Sequence, residues 1–194
     1  MQKPARVSSP HVSKGNATQM KPDYIEFNDR SVALAYMITF RCYGTWLHGD
    51  ERGSVGRRGS NIYGQARIKP SATLSEIDTD KLTGSPIKLR AVERRIVEDA
   101  IREVCSVRGY ILFALNVRTN HVHVVVNNCG KVERMMDSFK AYCTKALRAA
   151  NRIGAETKLW SRHGSTRYLW TERHLELAVD YVLNGQGDDL PVFD

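Results

Sequence analysis

Two β-rich runs, Tyr110 to Arg118 and His121 to Asn127, meet at a two-residue link, Thr119-Asn120, and helical patterns stand on both sides of them. A link this short makes the second run fold back on the first, with Asn tolerating the turn geometry, so the segment is a hairpin. Upstream, Leu89, Val92, Ile96, Ala100, Val104 and Val107 recur at helical spacing with charges opposite, and Gly109 supplies a stop. Downstream, Val132, Met135, Met136, Phe139, Cys143, Ala146, Leu147 and Ala150 form one stripe between Lys131 and Arg152, ending near Gly154.

Elements before and after this block complete the pattern. Leu34, Tyr36, Ile38, Phe40 and Cys42 alternate with Ala35, Met37, Thr39 and Arg41, which predicts a strand over Ala33 to Tyr43. Thr166 to Trp170 reads as a short last strand, and Leu175, Ala178, Val179, Val182 and Leu183 as a last helix closed by Gly185. The order β, α, β, β, α, β, α predicts an α+β fold of the ferredoxin-like, split βαβ kind, with an antiparallel sheet and helices packed on it.

At 194 residues the chain suits one domain, expected over residues 31–187. Residues 1–30 are expected to be a flexible basic arm, since Pro4, Pro10, Gly15 and Pro22 interrupt a stretch with no apolar periodicity. Residues 49–88, studded with Gly49, Gly53, Gly56, Gly59, Gly64, Pro70, Gly84 and Pro86, read as a long insertion without an element of its own, and 188–194 as a tail. The longest nearly apolar stretch, Val32 to Phe40, falls far short of the ~20 residues of a membrane helix, and no apolar signal core is evident, so a cytoplasmic chain with no membrane partner is expected. Cys42, Cys105, Cys129 and Cys143 lie far apart without CxxC pairing and read as free thiols.

Lys and Arg number 29 against 21 acids, a net charge of +8 that suits a polyanionic partner. Half of that excess is Lys3, Arg6, Lys14 and Lys21 in an acid-free start. Five further cations, Arg52, Arg57, Arg58, Arg67 and Lys69, sit in the insertion with no acid between Arg52 and Lys69. Trp160, Arg162, His163, Arg167, Tyr168 and Trp170 interleave cations with aromatics, the mixture that holds phosphates and stacks bases. The arginines are the stronger DNA-binding candidates, because aromatics so placed are more often core.

His121 and His123, two apart on a strand, put both imidazoles on one face while Val122, Val124 and Val126 fill the other. Two neighbouring nitrogen donors are half of a metal site. On the following helix Tyr142 falls at the edge of the apolar stripe, with Lys131, Ser138 and Lys145 on the adjacent flank. A phenol with a pKa of about 10 needs nearby positive charge or an activated electrophile to act as a nucleophile.

Thr119-Asn120-His121-Val122-His123-Val124-Val125-Val126, followed by Phe139-Lys140-Ala141-Tyr142, resembles the HUH-class single-tyrosine transposases of insertion sequences and their REP-associated relatives. The likeness extends to Tyr43-Gly44-Thr45-Trp46-Leu47 and to Ala178-Val179-Asp180-Tyr181-Val182-Leu183. The resemblance implies a divalent ion, Mg²⁺ or Mn²⁺, on His121 and His123. It implies Tyr142 as nucleophile on single-stranded DNA, giving a 5′-phosphotyrosine and a free 3′-hydroxyl; an adduct that survived Tyr142→Phe would point to another residue such as Tyr168 or Tyr181. It further implies hairpin DNA as partner, with Lys131, Lys140, Lys145, Arg162, Arg167, Arg57 and Arg58 as DNA contacts, and a nucleoid-associated location. Mobile members of that family pair as homodimers while REP-associated ones act alone. Several members carry a further metal ligand one turn after the tyrosine; here that position is Ala146, which cannot ligate and leaves the third ligand unassigned. A domesticated DNA-binding protein without turnover is the alternative reading. An RNA-binding ferredoxin-like domain is disfavoured because Tyr110 to Arg118 lacks Gly-Phe-Val-x-Phe, and a two-histidine phosphoesterase because no second H-x-T/S motif exists.

Overall fold

Strand β1 (Ala35–Cys42) is buried at all but two positions, Thr39 and Arg41, as a strand in the middle of a layered sheet should be. In the computed structural model it pairs antiparallel with β3 (His121–Asn127) on one side and β4 (Trp160–Leu169) on the other, and β3 pairs antiparallel with β2 (Leu112–Val117). The resulting order, β2-β3-β1-β4, is the split βαβ arrangement that the element order predicts. The structure describes residues 32–47, 50, 69–188 and 190, all within the compact unit Val32–Asp194. The N-terminal arm, Arg57, Arg58 and most of the tail lie outside the described residues.

Period-2 geometry gives the sheet two different faces. Ile38, Phe40, Val122, Val124 and Val126 point to one, where they form the main core with α2 (Ala91–Arg108) and α3 (Val132–Ala149). Ala35, Met37, Ala114, Val125 and Leu169 point to the other, where a smaller core takes Ala178 and Val182 from α4 (Glu172–Asn184). Among the described residues no helix is long and apolar enough to cross a membrane. Cys42, Cys105 and Cys143 are buried and Cys129 exposed, all free thiols.

Three expectations need correction. The stripe of α2 is rotated from the predicted one: Val92 and Val107 are 54% and 79% exposed, while Ala91, Arg94, Val97, Ile101 and Cys105 are buried. A charged residue holds a core position there, because the Arg94 guanidinium donates to the Leu89 carbonyl, and a search for apolar spacing passes over it. Inside the insertion, Ala72–Asp80 forms helix α1, capped by the Ser71 hydroxyl accepting from the Leu74 amide. No α1 residue is buried, so no apolar stripe announced it. Finally, β4 begins at Trp160 rather than Thr166. It is an edge strand with six exposed positions, too polar to show in hydrophobic periodicity.

The start of β4 also fixes the role of Lys140. Phe40 pairs with Gly164 but Cys42 with Trp160, so β4 carries extra residues opposite Arg41. Lys140 is buried, and its ammonium donates to the carbonyls of Ser161, Arg162 and His163, 2.9–3.4 Å away. Its three protons are therefore directed at that irregular segment rather than at solvent, which corrects the expectation of a DNA-contacting lysine. Burial also lowers the Lys140 pKa, partly offset by Asp137. Gly164 is needed at the end of this segment, since a Cβ there would lie 2.3 Å from Met136 Sδ and 2.5 Å from the Thr39 carbonyl oxygen.

Candidate active site

His121 and His123 lie on the α4 side of the sheet, their rings 4.8 Å apart and edge to face. Each ring is held by an oxygen at Nδ1. The Thr39 hydroxyl, on the residue paired with His123 across β1 and β3, meets His123 Nδ1 at 2.7 Å. Asn120 Oδ1 accepts from His121 Nδ1 at 2.7 Å. The turn carrying Asn120 is itself fixed: its carbonyl accepts from the Cys42 amide and the Thr45 hydroxyl. An oxygen partner at Nδ1 orients an imidazole and leaves Nε2 as the nitrogen for a metal or a substrate.

Nε2 of His121 faces Gln186 Oε1 at 3.4 Å. The Gln186 amide nitrogen donates to the Tyr181 carbonyl, which turns its oxygen toward the histidines. A neutral His121 bonded through Nδ1–H thus presents a lone pair to another lone pair, an arrangement that a cation between them relieves. The Gln186 side chain also acts on His123, opposing the fall of its pKa. Among the described residues no third His, Cys, Asp or Glu joins the pair; the further oxygen that faces it is the Gln186 amide oxygen. Two imidazoles and an amide oxygen, with both imidazoles braced from behind, fit a small divalent cation that otherwise keeps water or phosphate ligands.

His123 is 6% exposed. Burial, then the neighbouring His121, lowers its pKa from 6.5 to about 4; the Gln186 side chain opposes this and Arg41 adds to it. It is therefore neutral near pH 7, the form in which imidazole ligates.

Tyr181 completes the group. Ala178 and Val182 anchor α4 to the sheet, and the turn between them brings the Tyr181 ring to 5.6 Å from that of His123, at 74°. Tyr181 is 47% exposed, so its ring reaches the histidines from the solvent side. Beyond α4 the chain is tied back to the hairpin, where Arg118 donates to the Asp188 carbonyl at 2.9 Å. That tie keeps Gln186 over β3.

Tyr142 is not brought to this group. It sits on α3, which packs through Phe139 and Cys143 on the opposite face, and is 44% exposed there. Ala146 lies on the same helix, packed against the main core, so its lack of a ligating atom has no bearing on the histidines. Lys131 and Lys145 are likewise exposed residues of α3's own side, Lys145 beside a shallow groove with Thr144 and Arg148. Arg167 pairs with Met37 and so shares the histidine face, whereas Arg162 is exposed in the irregular part of β4. Trp160 is a core residue, edge-on to Phe40 at 4.9 Å, and Trp170 stacks on Tyr168. Sequence reasoning missed Thr39 and Gln186, and it ranked Tyr181 behind Tyr142. The available signal was the alternation of β1, which puts Thr39 and Arg41 on one face, and a glutamine just past the Gly185 stop.

No family model matches the chain, and no curated protein does. Among solved structures it is similar to a REP-associated tyrosine transposase bound to a REP hairpin, with 12% identity, a TM-score of 0.42, and coverage of 81% of this chain and 70% of that one. It is also similar to a candidate transposase from Deinococcus radiodurans R1, with 11% identity, a TM-score of 0.41, and coverage of 84% of this chain and 99% of that one.

Proposed function

We propose that the chain is a transposase-like, metal-dependent endonuclease and strand transferase for single-stranded DNA, with Tyr181 rather than Tyr142 as nucleophile. The observation that carries this reading is the meeting of His121, His123, Gln186 and Tyr181 on one face of the sheet. The motif Thr119 to Val126 and the basic balance of the chain support DNA as the substrate class.

His121, His123 and Gln186 would hold Mg²⁺ or Mn²⁺. Such an ion, when bound, withdraws charge from the phosphoryl oxygens and makes phosphorus a better electrophile. Tyr181 Oη attacks phosphorus as its proton passes to water, the new O–P bond forms, and the bond from phosphorus to the 3′-oxygen breaks. The departing 3′-oxygen takes up a proton. The product is a 5′-phosphotyrosine and a free 3′-hydroxyl. Attack by the same or another 3′-hydroxyl reverses the sequence, so the bond energy is kept in the phosphotyrosine and no nucleotide cofactor is needed.

The test is incubation of the full chain with a pool of single-stranded hairpin oligonucleotides of randomised flanks and MnCl₂ or MgCl₂, followed by a denaturing gel and peptide mass spectrometry. A metal-dependent covalent band mapping to Tyr181 is expected. No band under any of these conditions overturns the reading.

A further inference from the structure

We infer that Arg41, seated on Trp46, is the residue that binds and orients the scissile phosphodiester beside the histidines. This rests on the proposed phosphoryl-transfer reading and adds a positioning group to it. Arg41 pairs directly with His121 across β1 and β3, and Thr39, two residues earlier, touches His123. Alternation along β1 therefore puts Arg41 on the histidine face. Residues directly opposite in an antiparallel pair have Cβ atoms about 5 Å apart, well within the reach of an arginine.

The guanidinium lies over the Trp46 ring, 3.6 Å from its centroid. Stacking engages the flat face of the group, while its five N–H donors lie in its plane, the geometry that grips two oxygens of one phosphate. An indole beneath it also limits the rotamers of a long side chain, so less freedom is lost when the phosphate arrives. On the other side of β1 the ladder is irregular at this residue, since Phe40 and Cys42 pair with Gly164 and Trp160. The register of Arg41 thus places it opposite the histidine strand on one side and opposite that irregular segment on the other.

The test is a methylphosphonate scan, in which single backbone charges are removed from a hairpin oligonucleotide recovered from a random pool by binding to the full chain. Affinity is read in EDTA and adduct yield in MnCl₂, with folding checked by circular dichroism and melting. For wild type, one neutralised phosphate should weaken binding about tenfold, the size of a lost charge-assisted hydrogen bond. Arg41→Gln should bind about tenfold more weakly and lose its response at that one position only. Arg41→Lys should recover part of the loss, and Trp46→Leu should show a smaller deficit at the same phosphate. An Arg41→Gln protein that responds at every position as wild type does overturns the inference, with the reading intact if wild type still forms its adduct. An Arg41-dependent phosphate without any tyrosine adduct overturns the reading and keeps the anion site. Absence of binding by wild type overturns both.

Discussion

On β3, Val122, Val124 and Val126 turn toward α2 and α3, whereas His121 and His123 turn toward α4. The first face is closed by two long helices and contains Phe40, Phe139 and Leu147, all fully buried. The second is covered by one helix that buries only Ala178 and Val182, so polar groups at its margin keep access to solvent. One strand thus serves the main core with its even positions and, on the proposed reading, chemistry with two of its odd ones. Changes on the first face should act on folding, and changes on the second on reactivity.

The largest effect is expected on the histidine face. His121→Ala should remove metal-dependent adduct formation altogether while the protein melts near wild type, because the lost ring belongs to the proposed metal site and not to either core. A His121→Ala protein with full adduct yield would show that the metal assignment is wrong. On the other face, Phe139→Ala should cost about 3–5 kcal/mol in chemical denaturation, as deletion of a buried aromatic does. A loss below about 1 kcal/mol would mean that α3 is not packed as described.

How much of this contrast could be read from the sequence depends on how each element announces itself. Alternation in β1 and β3 gave both faces residue by residue, including the side taken by the histidines. The pairing of the tyrosine was not legible, because helical spacing places Tyr142 and Tyr181 on their helices but not the helices on the sheet. Which face a helix covers is decided by connections and by long-range packing, here Phe139 and Cys143 against one side and Ala178 and Val182 against the other. Gln186 follows the last helix in a turn, where no periodicity exists, and its place in the group appears only through its bonds to Tyr181 and His121. Lys140 was misread for a related reason: a cation looks like surface until the carbonyls it satisfies are known.

A smaller effect is expected at Lys140. Lys140→Met keeps the stem and removes the ammonium, leaving the Ser161, Arg162 and His163 carbonyls short of a donor, and should cost about 1–3 kcal/mol. Its affinity for single-stranded DNA should be unchanged under conditions where it is folded; weakened binding at wild-type melting temperature would put the ammonium in the DNA contact after all.

A further effect concerns acid. His123 is neutral when folded down to about pH 4 but titrates near 6.5 when unfolded, so unfolding takes up a proton between these values. Its contribution to stability is fully present above about pH 6.5 and is lost as pH falls toward 4. In EDTA, His123→Gln should flatten the melting temperature profile across that window, and an unchanged profile would mean that the pH dependence comes from other groups.

The two faces part most sharply over which tyrosine carries the DNA. Wild type, Tyr181→Phe and Tyr142→Phe should be incubated side by side with the hairpin oligonucleotide pool and MnCl₂, and the adducted peptide identified by mass spectrometry. Tyr142→Phe, a change on an exposed position of the opposite face, should alter stability by less than about 0.5 kcal/mol and form adduct at the wild-type yield. Tyr181→Phe should fold and bind DNA as wild type does and form no adduct. Adduct on Tyr142, or a Tyr181→Phe protein that still forms one, would contradict the assignment of the chemistry to the α4 face.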